Sequence, residues 1–175
     1  MEDHDGIEDT VDWSFENLFG LTPEEAQKGI RLYRERYDVK GWAENDPVEG
    51  ALEALERLEK AGYRMTLATS KPMHYAMKII EKFEFSKYVV SEYEPLRPGY
   101  EPKKTEVIKK GIKLLGARKS ECLMVGDRMY DILGAREVGI DVAILDVGYA
   151  QPGEFEKSPP DYYFKDFQTF VQEMI

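Results

Sequence analysis

The sequence predicts a three-layer, doubly wound (Rossmann-like) α/β fold with a mostly parallel sheet. Three observations carry this. Short apolar runs alternate with amphipathic windows of about ten to twelve residues, the pattern of βαβ units. Glycines punctuate the ends of several windows. Polar residues gather directly after two of the apolar runs, where open parallel sheets bind ligands.

In chain order, residues 1–12 are rich in acids and poor in apolar side chains, so a frayed or remnant terminus is expected. Trp13, Phe15, Leu18 and Phe19 suit a short amphipathic helix. Thr22-Pro23-Glu24-Glu25 is a helix start: Thr22 can cap, Pro23 suits the first turn, and Glu25 completes a capping box. Ala26, Ile30, Tyr33 and Tyr37 follow at helical spacing, with Gly41 just beyond. Asp46-Pro47-Val48-Glu49 repeats the start signal, and Leu52, Leu55 and Leu58 lead to a stop at Gly62. Met65–Ala68 reads as a strand, Pro72–Phe83 as a helix and Tyr88–Val90 as a weaker strand. Glu94–Pro102, with three prolines and a glycine, reads as a loop. A helix over Lys104–Leu115, a strand over Cys122–Val125, and a helix over Met129–Val138 ended by Gly139 come next. Strands at Val142–Leu145 and Tyr162–Phe164, separated by the break at Pro159-Pro160, precede a closing helix over Phe167–Met174.

The chain has 175 residues, enough for one domain or one domain with a small appendage. Its net charge of −10 disfavours nucleic acid and anionic membranes as partners. The same charge requires any phosphate site to be a local basic pocket. Cys122 is the only cysteine, which excludes an internal disulfide and fits a reducing compartment; it reads as a buried, inert thiol. No apolar stretch reaches the ~18 residues of a membrane span. A soluble, cytoplasmic protein is expected. His4 and His74 are isolated surface residues without zinc spacing.

Three segments could carry chemistry. In Val125-Gly126-Asp127-Arg128-Met129-Tyr130-Asp131 a strand ends at a glycine and two acids follow four residues apart. Such a pair can converge on a cation, and oxygen ligands of this kind suit Mg²⁺. The competing reading makes Asp127 a helix cap and leaves Asp131 in solvent. In Leu67-Ala68-Thr69-Ser70-Lys71-Pro72 a strand ends in two hydroxyls and a lysine at a helix start, a set that suits an anion or is simply a helix cap. In Lys103-Lys104-Thr105-Glu106, a lysine at a helix start opposes the dipole and could reach a phosphate; otherwise it is solvated.

Hydroxyls, lysine and paired acids, in that order, resemble the haloacid dehalogenase-like phosphatases, specifically the phosphoglycolate phosphatase-like branch. LATSKP resembles that branch's second motif and KKTEVI its third, with Lys104 a better match than Lys103. VGDRMYDILGAREVGI resembles its fourth almost throughout. YRERY, GWAEN and AGYRM add support, and the resemblance covers roughly residues 13–175. It implies a Mg²⁺-dependent phosphate monoester hydrolase acting on a small phosphorylated metabolite such as 2-phosphoglycolate. A first-strand aspartate would attack phosphorus to form an aspartyl-phosphate, and a second aspartate two residues on would serve as general acid and base. Carried over, Thr69, with Ser70 and Lys71, binds phosphate; Lys104 neutralises phosphate and nucleophile; Asp127 and Asp131 serve the metal. Residues 13–45 resemble the later part of a helical cap, with the α/β core over 46–175. A receiver-like phosphotransfer domain shares the layout, but the late GDRMYD and the helical segment before the sheet argue against it.

The first motif departs from the family's DxDGT. Asp3-His4-Asp5-Gly6 supplies the acids as candidate catalytic residues, but no threonine follows Gly6 and only two residues precede Asp3. A strand needs about five, so the nucleophile strand is expected to be missing. The alternative function is then a non-catalytic chain that binds phosphate or Mg²⁺, or serves as a structural partner. A missing central strand has three expected outcomes: direct pairing of the strands ending at Thr69 and Gly126, low stability, or homo-oligomerisation.

Overall fold

The structure, a computed structural model, describes residues 14–92 and 102–175. Asp3, His4, Asp5 and most of the loop expected at 94–102 lie outside the described residues. The chain divides into two compact units, Met1–Asp46 and Pro47–Ile175.

In the first unit, a π-helical turn over Ser14–Leu18 precedes α1 (Pro23–Val39). The expected capping box is present. The amide of Thr22 donates to Glu25 Oε2 at 3.0 Å, and the amide of Glu25 donates to Thr22 Oγ1 at 3.4 Å. Gly29 lies under the Phe15 ring, where a Cβ would stand 3.0 Å from the ring edge. A 3₁₀ turn over Gly41–Ala43 closes the unit, and Arg36 pairs with Glu44 at 2.6 Å.

The second unit contains α2 (Ala51–Lys60), β1 (Met65–Thr66), α3 (Met73–Lys82), β2 (Val89–Val90), α4 (Lys104–Leu115), β3 (Leu123–Gly126), α5 (Met129–Val138), β4 (Asp141–Leu145), β5 (Tyr162–Phe164) and α6 (Phe167–Met174). Among the described residues every strand pair is parallel, in two ladders, β1-β2 and β3-β4-β5. β4 is central to the second ladder and buried on both faces, as its unbroken apolar run requires. Val142 and Ile144 pack with Met124 beneath α4 and α5, against Ile108, Ile132, Ala135 and Val138. Ala143 and Leu145 point the other way, onto Ala54 and Leu58 of α2 and Phe170 and Val171 of α6. Strand alternation thus builds the three layers.

Side-chain clamps finish the sheet edge. Asp161 Oδ2 accepts from the Val142 amide at 2.9 Å, and Arg136 forks onto both Asp161 oxygens. Asp166 caps α6 through the Thr169 amide at 2.7 Å.

Several expectations need correction. The start signal at Asp46–Glu49 does not begin a helix; α2 opens at Ala51, behind Gly50 at φ +78°, a left-handed residue that interrupts helical winding. The strand expected over Met65–Ala68 is paired only over Met65–Thr66. Cys122 is half-buried, with its thiol donating to the Arg118 carbonyl at 3.2 Å just before β3. Among the described residues, β1 and β3 do not pair directly. Helix α4 packs on both ladders, with Gly111 against Thr66 of β1 and Ile108 in the β3–β4 core. Val125 on β3 remains 38% exposed. No helix among the described residues is long and apolar enough to cross a membrane.

Candidate functional site

Lys104 links the two ladders. Its ammonium lies 2.8 Å from Asp131 Oδ1 and donates to the carbonyl of Ala68, just beyond β1, at 3.3 Å. Lys103, the other candidate, is the exposed residue preceding α4. The stem of Lys104 has room because Gly134 faces it. A Cβ on Gly134 would stand 2.5 Å from Lys104 Cγ and 3.1 Å from Ile108 Cδ1.

Asp131 is only 4% exposed. Its Oδ2 accepts the backbone amides of Asp127 at 3.1 Å and Arg128 at 3.2 Å. Both its oxygens therefore hold protein donors. The paired acids divide their work in the reverse of the capping alternative read from the sequence: Asp131 holds the start of α5 from inside, and Asp127 keeps its carboxylate for other partners. Gly126 makes this arrangement possible. A Cβ there would fall 2.3 Å from the Asp131 carboxyl group, inside any tolerable contact.

Asp127 is half-buried. Burial and the neighbouring Asp131 carboxylate push its pKa above the ordinary value, against the opposing pull of Arg128 and Lys104. No ion pair forms at Asp127 among the described residues, and no group of three or more acid, histidine or cysteine side chains comes together there as a metal-ligand set.

Thr69 follows β1 and is half-buried; its Oγ1 accepts from the Lys71 amide at 3.1 Å. That bond leaves the hydroxyl hydrogen to donate. Ser70 and Lys71 are exposed in the turn before α3. The structure thus brings Lys104, Asp131 and the Ala68–Thr69 turn together across the ends of β1 and β3, with Asp127 beside them.

Glu154 belongs to this assembly and had no signal in the sequence. Its side chain is 5% exposed and sits 2.8 Å from Arg128 Nε. The Met129 amide donates to Oε1 at 2.7 Å and the Gln151 amide to Oε2 at 2.7 Å. Its partners at the start of α5, Met129 and the preceding Arg128, lie 25 and 26 residues away in sequence, and no local pattern marks such a contact. The amides of residues 127, 128 and 129 are all spent on carboxylates, so the start of α5 is charge-compensated and does not serve an anion.

The family model that matches this chain, over residues 4–139, is described as haloacid dehalogenase-like hydrolase. A 5'-nucleotidase of Pseudomonas aeruginosa is 32% identical over 158 residues, 90% of this chain and 72% of the relative. The pyrophosphatase PpaX of Halalkalibacterium halodurans is 32% identical over 158 residues, 86% of this chain and 70% of the relative. Among solved structures, a protein assigned as a phosphatase from Clostridium difficile superposes with a TM-score of 0.87 at 30% identity, covering 97% of this chain and 79% of that one. The chain belongs to the haloacid dehalogenase-like hydrolases, and its relatives include phosphatases.

Proposed function

We propose that this chain is a Mg²⁺-dependent phosphomonoesterase of the phosphoglycolate phosphatase-like branch, acting on a small phosphorylated metabolite. The observation that carries this reading is the Lys104–Asp131 pair beside the half-buried Asp127 carboxylate. One cation and one half-buried carboxylate stand together where the ends of the two parallel ladders meet, in a family of hydrolases.

Asp127 fits a direct Mg²⁺ ligand. Mg²⁺ sites of this kind need one or two protein carboxylates and fill the remaining positions with water and substrate oxygens, and the raised Asp127 is a charge that a cation relieves. When bound, Mg²⁺ would neutralise phosphate charge. The chain's own residues do the rest. Asp131 holds the Asp127 turn and orients Lys104, which offsets the charge of phosphate and nucleophile. Thr69 offers its hydroxyl hydrogen to a phosphate oxygen, with Ser70 and Lys71 beside it. Asp3 and Asp5, outside the described residues, are the candidates for nucleophile and general acid.

A second reading, a chain that binds Mg²⁺ or phosphate without turnover, rests on the incomplete first motif at Asp3–Gly6. The test is turnover with Mg²⁺ on 2-phosphoglycolate and on an aryl phosphate, with Asp127→Asn as the control. Turnover lost in Asp127→Asn supports the enzyme, and Asp3→Asn then tests the nucleophile. Folded protein that binds Mg²⁺ but turns over neither substrate favours the second reading. Turnover equal in wild type and Asp127→Asn refutes both the metal assignment and the reading.

A further inference from the structure

We propose that Glu154 is a positioning residue for Asp127, acting by fixing the turn that carries Asp127 and by holding the Arg128 guanidinium away from its carboxylate. The proposal rests on Asp127 as the metal ligand, so its test is arranged to fail separately from that reading.

The turn over residues 127–129 sets where the Asp127 carboxylate points. It is gripped from two sides. Asp131 takes the amides of residues 127 and 128 at 3.1 and 3.2 Å. Glu154 takes the amide of residue 129 at 2.7 Å, the shortest of the three bonds. Glu154 also spans two segments, because its Oε2 accepts the Gln151 amide at 2.7 Å. The loop over residues 151–156 is thereby tied to the start of α5.

The electrostatic part follows from chain adjacency. Arg128 directly follows Asp127 on this turn. Glu154 accepts Arg128 Nε through both oxygens, at 2.8 and 3.1 Å, from a side chain nearly removed from water. A planar guanidinium forks readily onto any carboxylate within reach. Without the Glu154 charge, Asp127 is the adjacent carboxylate, and a guanidinium on Asp127 competes with a divalent cation for the same oxygens. Glu154 therefore keeps the ligand available as well as aimed. Partners that orient metal ligands without touching the metal have effects of this kind.

The experiment is a Mg²⁺ titration of the full chain by calorimetry, with Mg²⁺-induced thermal stabilisation as a second readout, on wild type, D127N, E154Q and R128Q/E154Q. E154Q keeps an acceptor for the Met129 amide but loses the charge, and its Mg²⁺ affinity should fall by about 10-fold or more. R128Q/E154Q removes the competing cation as well and should recover most of the affinity that E154Q loses. Equal weakening in both variants overturns the proposal, because it marks a purely structural role. Unchanged Mg²⁺ affinity in E154Q, alongside lost binding in D127N, overturns the proposal and leaves the metal assignment standing. Wild-type protein that binds no Mg²⁺, or D127N that binds as wild type does, overturns both. Glu154→Asp covers an E154Q that does not fold. Its shorter arm cannot hold residues 128, 129 and 151 together, so its affinity should fall several-fold, and wild-type affinity there also overturns the proposal.

Discussion

Replacing Gly134 by alanine separates the stability of this protein from the geometry of its site. The new Cβ would stand 2.5 Å from Lys104 Cγ, 3.0 Å from Lys104 Cβ and 3.1 Å from Ile108 Cδ1. Carbon atoms rest at about 3.5–4.0 Å, so the lysine stem must retreat by roughly 1 Å. The Lys104 ammonium stands at 2.8 Å from Asp131 Oδ1 and 3.3 Å from the Ala68 carbonyl, and a retreat of that size takes both beyond hydrogen-bonding distance. A hydrogen bond to a charged group contributes about 1.5–3 kcal/mol. Alanine is favoured over glycine inside a helix by about 1 kcal/mol, which offsets part of this. With two such bonds lost, the net cost is about 2–5 kcal/mol, or roughly 4–20 °C in Tm for a chain of this size. Turnover responds more strongly, because a misplacement of about 1 Å in a catalytic group can cost on the order of 100-fold. Urea unfolding measures the first effect and Mg²⁺-dependent phosphatase turnover the second. A Gly134→Ala protein with wild-type turnover would refute the placement of Lys104. So would a loss of stability far above this range without a matching loss in a Lys104→Met protein.

Gly126→Ala places a Cβ 2.3 Å from the buried Asp131 carboxyl and must break its bonds to two amides and to Lys104. It should destabilise the fold by about 3–5 kcal/mol, read from the urea midpoint; a loss under about 1 kcal/mol would show that Asp131 can move freely. The acid limb of stability should depend on Glu154. Burial pushes this carboxyl up, but the Gln151 and Met129 amides and Arg128 outweigh it, so it sits below its ordinary value of 4.5. A depressed acid contributes stability that is present above the ordinary value and lost as pH falls through the lower folded one. The difference in urea midpoint between wild type and Glu154→Gln should therefore be widest at neutral pH and close below about pH 4.5; a gap that ignores pH contradicts the charge assignment. Asp127 has the opposite sign. Burial and Asp131 raise it, so its ionisation opposes folding as pH rises. Asp127→Asn should raise Tm without Mg²⁺ and abolish stabilisation by Mg²⁺, the trade expected of a functional charge; a lower metal-free Tm would argue against it.

The sequence made the α/β layering readable wherever local pattern and tertiary packing agree. The apolar run at Val142–Leu145 and the window ended by Gly139 coincide with β4 and α5 to within a residue. Helix α4 likewise begins at Lys104 and ends before Gly116. Local pattern misled where a backbone conformation intervened, as at Gly50, which delays α2 past the start signal at Asp46. It also overextended β1, because strand length is set by a pairing partner rather than by apolarity.

The site was legible as residue types but not as geometry. Spacing placed Asp127 and Asp131 together, yet Asp127 lies before α5 rather than on it, so helical periodicity did not predict which acid turns inward. That depends on Gly126, where the missing side chain admits the Asp131 carboxyl. The motif favoured Lys104 over Lys103 without a physical reason; the space left by Gly134 supplies one, making Lys104 the inward lysine. Glu154 reaches the start of α5 from twenty-five residues further along the chain, past β4, beyond any local rule.

The most direct test of the account is Mg²⁺-dependent hydrolysis of 2-phosphoglycolate and an aryl phosphate by the purified chain, beside Asp127→Asn. The account predicts turnover that requires Mg²⁺ and disappears in the variant. Turnover that persists in Asp127→Asn, or that proceeds equally without Mg²⁺, would contradict it.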